Sequence, residues 1–443
     1  MDEFRVTPPI PDPRRGAAPG SKEKKGVDYH SAQDRGKGPR HIRPLTPAPG
    51  NRYHVSMMDP GLPSRVALVR CPEYDPPTVY EAVGRGLALL GGAERFVRPG
   101  ERILLKPNLL VASAPESAVT THPSVFRAAA RHMRAAGAVL SYGDSPGFGR
   151  TAGAARRAGL VEVAEAEDLP MADFAGGRTV SFPDGRLIKQ FTIANGALDA
   201  EGIISLCKLK THGLTRTTGA IKNQFGCIPG MLKGEFHVRM NTSDRFAQML
   251  VDLNRLLRPR LYLMDGIIAM EGNGPRSGDP RQMSVLLFSD DPVALDTTVC
   301  RMIALDRALV PTITWGDAWG LGTATQIEYL GDPVDSFLTP DFVVDRTPGS
   351  TTGEPGRLSR LTKNLVVPRP VIDPRRCTTC GTCVRVCPVQ PKAVDFAAGH
   401  AAGGGTPPVH DYKRCIRCYC CQEMCPEHAI GIARPLLGRI IHR

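Results

Sequence analysis

From about residue 62 the chain alternates between short dense apolar runs and amphipathic stretches, with polar turn residues between them. Ser64 to Arg70 reads as a strand and Thr78 to Leu90 as a helix. Arg102 to Leu105 is a strand ending at a Pro-Asn turn, and Pro123 to Gly137 has helical spacing with a glycine stop. Ala138 to Tyr142, Gly202 to Leu206, Leu261 to Met264 and Arg281 to Phe288 are further strands, and Asp291 to Leu305 is helical. This strand–loop–helix alternation over residues 62–345 predicts an α/β domain with a largely parallel sheet. In such folds ligands sit beyond the carboxyl ends of the strands, so the polar residues there carry the first functional expectation.

The flanks are patterned differently. Residues 1–60 are rich in Pro, Gly, Lys and Arg, lack apolar periodicity, and read as a disordered tail. Met57 and Met58 directly precede the first strand and would serve equally as a translation start. Residues 346–372 read as a linker, and residues 373–434 as a small α+β ferredoxin-like domain. No apolar run approaches the roughly 18 residues that span a bilayer, which excludes a membrane-embedded class. Arg14-Arg15 has no apolar segment behind it, so an exported protein is not expected and a cytoplasmic one is.

The net charge of +12 divides unevenly: +5 over residues 1–56, −2 over 57–356 and +9 over 357–443. A nucleic-acid binder would carry its basic surface on its main domain. The near-neutral centre and an aromatic content of only 6% argue against that class. Basic ends suit an acidic redox partner protein instead.

Nine of the 13 cysteines fall between Cys377 and Cys425. Two runs match residue for residue: Cys377-x2-Cys380-x2-Cys383-x3-Cys387-Pro388 and Cys415-x2-Cys418-x2-Cys421-x3-Cys425-Pro426. Three thiolates two residues apart wrap one face of a cubane. The Cys-Pro turn then sends the fourth to the neighbouring cluster. Two [4Fe–4S] clusters are expected, one on Cys377, Cys380, Cys383 and Cys425, the other on Cys415, Cys418, Cys421 and Cys387. Zinc sites use pairs of such ligands rather than triplets. Cys420 has no place in the pattern and reads as a spare thiol.

In the α/β domain there is no Walker A lysine loop. The clusters Gly147-x-Gly149 and Gly272-x-Gly274 place their third glycine one residue too far for a dinucleotide fingerprint. Polar residues do gather after strands: Lys106, His122, Asp144, Lys210, His212, Lys222 and Glu271, with Asp265 beside them. If these loops meet, the lysines form a pocket for a small anionic ligand, a carboxylate or phosphate. Asp144, Asp265 and Glu271 would then supply acid–base groups or hold a divalent cation.

The stretches Lys106-Pro-Asn, Thr120-Thr-His-Pro, Gly143-Asp-Ser-Pro-Gly, Lys208-Leu-Lys-Thr-His, Ile221-Lys-Asn-Gln-Phe-Gly, Asp265-Gly-Ile, Glu271-Gly-Asn-Gly-Pro and Asp291-Pro-Val-Ala-Leu-Asp resemble the family called domain of unknown function 362. The resemblance spans roughly residues 64–310, and it implies a cytoplasmic iron–sulfur protein while leaving the reaction open. Two classes fit: an iron–sulfur oxidoreductase passing electrons to or from an anion in the α/β domain, and a non-redox binding or lyase-type domain whose clusters are structural or sense oxygen.

Overall fold

The computed structural model describes residues 62–230, 232–347, 364–365 and 367–435, so the expected N-terminal tail and most of the expected linker lie outside the described residues. In chain order the larger part comprises strand β1 (Ser64–Arg70), helix α1 (Pro76–Leu89), β2 (Arg102–Lys106), α2 (Pro123–Ala135), β3 (Val139–Tyr142), α3 (Thr151–Arg157), α4 (Leu160–Ala166), β4 (Gly177–Ser181) and β5 (Gln190–Ala194). It continues with α5 (Asn195–Asp199), β6 (Gly202–His212), β7 (Arg216–Thr217), α6 (Gly219–Asn223), α7 (Leu232–Arg239), α8 (Ser243–Leu257), β8 (Leu261–Glu271), β9 (Asp279–Ser289), α9 (Pro292–Met302), α10 (Pro311–Ala318) and β10 (Ile327–Gly331).

The main sheet runs β10-β1-β9-β8-β6-β2-β3, with β7 a short return against β6. Only β9 opposes the common direction along that path: it is antiparallel to both β1 and β8, while the remaining neighbours are parallel. The expected α/β class with a largely parallel sheet is what forms. Alternation along the strands fills two cores, one on each face. Leu104, Ile203, Cys207 and Leu209 point into one, and Ile103, Leu105, Ile204 and Leu206 into the other. Helix α1 starts where Asp75 accepts the Thr78 N–H ahead of Pro76 and Pro77.

Two strands run far past their apolar runs. All 11 residues of β6 are buried, and β8 reaches Glu271. Lys208, Lys210 and His212 therefore lie on a strand rather than in the loop expected after it, as do Asp265 and Glu271. The alternation Lys-Leu-Lys-Thr-His is a strand period with polar residues on one face. Apolar density alone ends the strand too early.

The ferredoxin-like part begins earlier than expected, because β11 (Arg369–Ile372) pairs antiparallel with β14 (Ile430–Ala433). Between them lie α11 (Thr382–Val386), the pair β12 (Val394–Asp395) and β13 (Val409–His410), and α12 (Cys420–Glu423). Left-handed residues recur at matching places in the two cysteine runs: Thr379 and Gly381 flank Cys380, and Arg417 and Tyr419 flank Cys418. The sequence repeat is thus a backbone repeat. Among the described residues no helix is long and apolar enough to cross a membrane.

Helix α6 is short and its first N–H groups are met by a buried carboxylate. Asp296 Oδ1 accepts from Ala220 N at 2.7 Å and Oδ2 from Ile221 N at 3.2 Å. Gly219, at φ +59°, precedes them where a Cβ would collide with the Asp296 carboxylate. Replacing Asp296 with Ala would strand two buried N–H groups and lower stability by about 2–4 kcal/mol. A chemical-denaturation midpoint shifted by that amount is the expected outcome, and an unmoved midpoint would mean that α6 is held by other contacts.

Candidate functional site

At the carboxyl edge of the sheet the polar side chains are brought together in pairs. Lys106, at the end of β2, reaches Asp144 Oδ1 at 2.9 Å and Asn223 Oδ1 at 3.1 Å. Asp144 lies two residues past β3, and its Oδ2 accepts the Leu109 N–H at 2.7 Å. This pair is fully enclosed. Gly226 makes room for it, since a Cβ there would collide with Asp144 Oδ1 and stand 2.9 Å from Lys106 Nζ. On β6, Lys208 donates to Asp265 Oδ2 and to Tyr74 Oη, both at 2.8 Å.

Lys210 has no carboxylate partner among the described residues. Its ammonium donates to Asn108 Oδ1 at 2.7 Å and to the Val119 carbonyl at 2.6 Å, and burial pushes its pKa well down. Lys222, on α6, has no hydrogen-bond acceptor among the described residues and stands 5.8 Å from the Phe225 ring centroid. Burial lowers its pKa, against the raising charge of Glu423. Lys233, on α7, donates to Ser145 Oγ at 2.6 Å and the Ile228 carbonyl at 2.8 Å. Burial brings its pKa down to about 7, with Asp144 raising it and Lys106 and Lys222 lowering it.

These side chains border one cleft of about 930 Å3, counted with its open mouth. Asn108, Asp144, Lys210, Lys222 and Lys233 form the wall from the α/β part. The opposite wall comes from the cysteine-bearing part: Cys420, Glu423 and Met424, with Arg385 and Val386 nearer the mouth. The two parts are fastened beside the cleft. Gln422 Nε2 donates to the Asn273 carbonyl at 2.9 Å and Arg276 Nη1 to the Met424 carbonyl at 2.8 Å; Asn273 Nδ2 donates to the Ile430 carbonyl at 3.0 Å. Arg216 and Arg434 converge on Asp345.

His212, at the end of β6, stands against Glu423, with Nε2 and Oε1 3.0 Å apart. Its Nδ1 accepts the Leu214 N–H at 3.0 Å, which places the proton of the neutral ring on Nε2. Burial, reinforced by Lys222, lowers His212 to about 4 although Glu423 opposes it. Burial would raise Glu423, but the charges of His212, Lys222 and His237 hold it at about 2. His237 stacks on Phe246 with centroids 4.6 Å apart, and its buried Nδ1 lacks a hydrogen-bond partner.

Five of the seven candidate side chains thus surround this cleft, directly or one contact behind it: Lys106, Asp144, Lys210, His212 and Lys222. His122 does not. It caps α2 by accepting the Ser124 N–H on Nδ1 and stacks on Tyr74 at 3.6 Å, beside Lys208 and Asp265. Glu271 lies elsewhere too, accepting the Val343 N–H at 2.9 Å and standing 3.7 Å from Arg281. The carboxylates Asp144, Asp265 and Glu271 do not meet as the grouping predicted, because each is engaged by its own cation or amide. Lys233, His237, Glu423 and Cys420 were missed. The first two sit on a helix of weak amphipathic pattern, and the last two enter from another part of the chain.

The cysteines form two separate cradles. One cavity of about 320 Å3 is lined by Cys377, Cys380, Cys383 and Cys425, and another of about 310 Å3 by Cys387, Cys415, Cys418 and Cys421. Each quartet takes three thiols from one run and the fourth from the other. The Ala429 N–H donates to Cys425 Sγ at 3.3 Å, and His410 Nε2 lies 3.5 Å from Cys421 Sγ, contacts that suit sulfur carrying negative charge. Four soft sulfur donors around a void fit an iron–sulfur cluster. Cys420 lines the cleft rather than either cradle, with its thiol against that of Cys418.

Residues 103–301 match the family model described as domain of unknown function (DUF362), and residues 369–426 match a 4Fe-4S dicluster domain. A thylakoid-associated protein of Synechocystis sp. is 36% identical over 286 residues, which cover 63% of this chain and 88% of that protein. The chain belongs to the DUF362 family. It is an iron–sulfur member, by the dicluster domain it carries. The lactate racemase apoprotein from Thermoanaerobacterium thermosaccharolyticum overlays on 53% of the chain and 56% of its own length, with a TM-score of 0.34 and 11% identity, too slight a likeness to build on.

Within this DUF362 protein the titration of Lys233 makes a measurable difference. Its folded pKa of about 7 lies below its ordinary 10.5, so above about pH 7 the unfolded chain binds the proton that the folded chain has released. Stability of the native protein relative to Lys233→Met should therefore rise with pH, by about 1 kcal/mol per unit, from about pH 7 towards pH 10. Urea midpoints of the two proteins across that range are the measurement, and parallel profiles would contradict the shift. Gly226→Ala should break the Lys106–Asp144 pair and cost about 3 kcal/mol or more in the same assay.

Proposed function

We propose that the protein is an iron–sulfur oxidoreductase in which a small anion held in the cleft exchanges electrons with two [4Fe–4S] clusters. Cys377, Cys380, Cys383 and Cys425 would hold one, and Cys415, Cys418, Cys421 and Cys387 the other. The observation that carries this reading is the shared wall: Cys420 and Glu423, neighbours of the cluster ligand Cys421, face the same space as Lys210, Lys222 and Lys233. Bound clusters supply or accept single electrons.

The chain's own residues supply the rest. Lys222 has no acceptor among the described residues and is the cation most ready to take one from a ligand. Asn108 and Val119 fix Lys210, and Ser145 fixes Lys233, so the positive wall is set before any ligand arrives. Two-electron reduction of a bound acceptor that keeps its charge consumes two protons, and the reverse reaction releases them. Lys233 titrates at about 7 and can exchange one of them with the cleft near neutrality. His212 stays neutral, with its Nε2 3.0 Å from Glu423 Oε1. The electrons come from or go to a one-electron carrier protein. Cys380 is exposed, with Arg375, Arg376, Lys413 and Arg414 on the surface of the same module, which suits an acidic partner.

The decisive experiment is an anaerobic reductive titration followed by EPR, with and without acetate or inorganic phosphate. An anion that prefers one oxidation state tenfold moves a one-electron midpoint by about 59 mV, and that order of shift is expected. Lys222→Met should keep the cluster signals and lose the response. Clusters that will not reduce, or that ignore every anion, would favour the non-redox class with structural or oxygen-sensing clusters.

A further inference from the structure

Lys210, Lys222 and Lys233 line the cleft, and the rest of its lining restricts what it binds. Besides its lysines and the carboxylates Asp144 and Glu423 it is lined by Leu109, Leu110, Phe148, Phe225, Val386 and Met424. Phe148 and Arg385 are exposed and mark the open side, with the guanidinium 6.0 Å from the Phe148 ring centroid. Thr218 Oγ1, His237 Nδ1 and Glu423 Oε1 are buried atoms of lining residues with no hydrogen-bond partner among the described residues, and Lys222 has no acceptor there either. Buried polar groups left open in a cleft are what a polar ligand end satisfies. A space of this size with an apolar wall and a few convergent polar groups suits a ligand with a body, not a bare ion.

The charge-bearing end also discriminates. Phosphate groups are characteristically held by free backbone N–H groups at a helix start or in a nest. Here the start of α6 is closed to them, because Asp296 already takes the Ala220 and Ile221 N–H groups. What remains is the amino groups of Lys210, Lys222 and Lys233 and the Thr218 hydroxyl, donors that the two oxygens of a carboxylate can accept from.

Resting on the anion-binding reading above, we propose that the ligand is an amphipathic carboxylate. Its carboxylate is anchored by Lys222 and Lys233 with the Thr218 hydroxyl. Its apolar body lies along Leu109, Leu110, Phe148 and Met424, against the wall that carries Cys420.

The test is anaerobic calorimetry on the full-length, cluster-loaded protein with four probes: trans-cinnamate, acetate, inorganic phosphate and cinnamyl alcohol. Cinnamate should bind at least about tenfold more tightly than each of the others, since each lacks the acid, the body or the single charge. Lys222→Met should weaken cinnamate by about tenfold without changing cluster absorbance. Phe148→Ser, at the exposed mouth and outside the hydrophobic cores, should weaken cinnamate and leave acetate unchanged. Phosphate binding as tightly as cinnamate would overturn the proposal in favour of a phosphate site. Cinnamyl alcohol binding as tightly would overturn it in favour of an uncharged ligand, and no cinnamate binding would overturn it outright. Calorimetry needs no electron flow, so cinnamate that binds without altering the EPR signals would sink the redox reading and leave the ligand class standing. Cinnamate that fails while another anion shifts the clusters would do the reverse.

Discussion

Ammonium groups are costly to bury without a compensating charge, and this protein buries four of them at one edge of its sheet. Lys106, Lys208, Lys210 and Lys233 are all shielded from solvent, and Lys222 is largely so. Only two are matched by carboxylates of their own, Asp144 and Asp265. Lys210 and Lys233 are held by neutral oxygens, and Lys222 by none among the described residues. The arrangement leaves an excess of lysines over carboxylates in an enclosed place, where Coulomb interactions are weakly screened and burial lowers the pKa of Lys210 and Lys233. That excess is what the rest of the site is organised around.

The scaffold accounts for how such an arrangement is built. Strand β6 is buried on both faces along its whole length, and its alternation sets Lys208, Lys210 and His212 on one side at its carboxyl end. The neighbouring ends of β2 and β3 bring Lys106 and Asp144. The Asp296 carboxylate fixes the start of α6 and with it Lys222 and Asn223. Each lysine is thereby held by an element with its own core contacts, which makes the positive wall rigid. The cysteine-bearing module then closes the site from above. Gln422, Arg276 and Asn273 make the fastening, and this gives the Glu271-Gly-Asn-Gly-Pro stretch a docking role in place of the acid–base role read from its sequence.

The cluster cradles and the cleft are therefore neighbours through one short helix. Cys421 faces a cradle while Cys420 and Glu423 face the cleft, because consecutive residues on a helix point about 100° apart. A thiol that breaks the ferredoxin spacing finds its place here, lining the cleft and touching the cradle's Cys418. Gly381 and Tyr419, both left-handed, start the two short helices of the module at equivalent points, so both cradles repeat the same local backbone.

What the sequence by itself determined is whatever depends on local period and spacing. The cysteine runs define their own loops, the apolar alternation defines the strands, and together they define an α/β domain followed by a ferredoxin-like one. The candidate lysines were legible because polar residues among apolar neighbours are conspicuous. Only the tertiary structure decided which of them meet. His122 and Glu271 look like Lys210 and His212 in the sequence, yet strand order and the lengths of β6 and β8 send them to other places. Lys233 and Glu423 were silent because neither carries a local signal. They are separated by 190 positions, and their common wall exists only once the cysteine module is docked. Proximity across a fold is set by packing, and packing is not written in any short window of the chain.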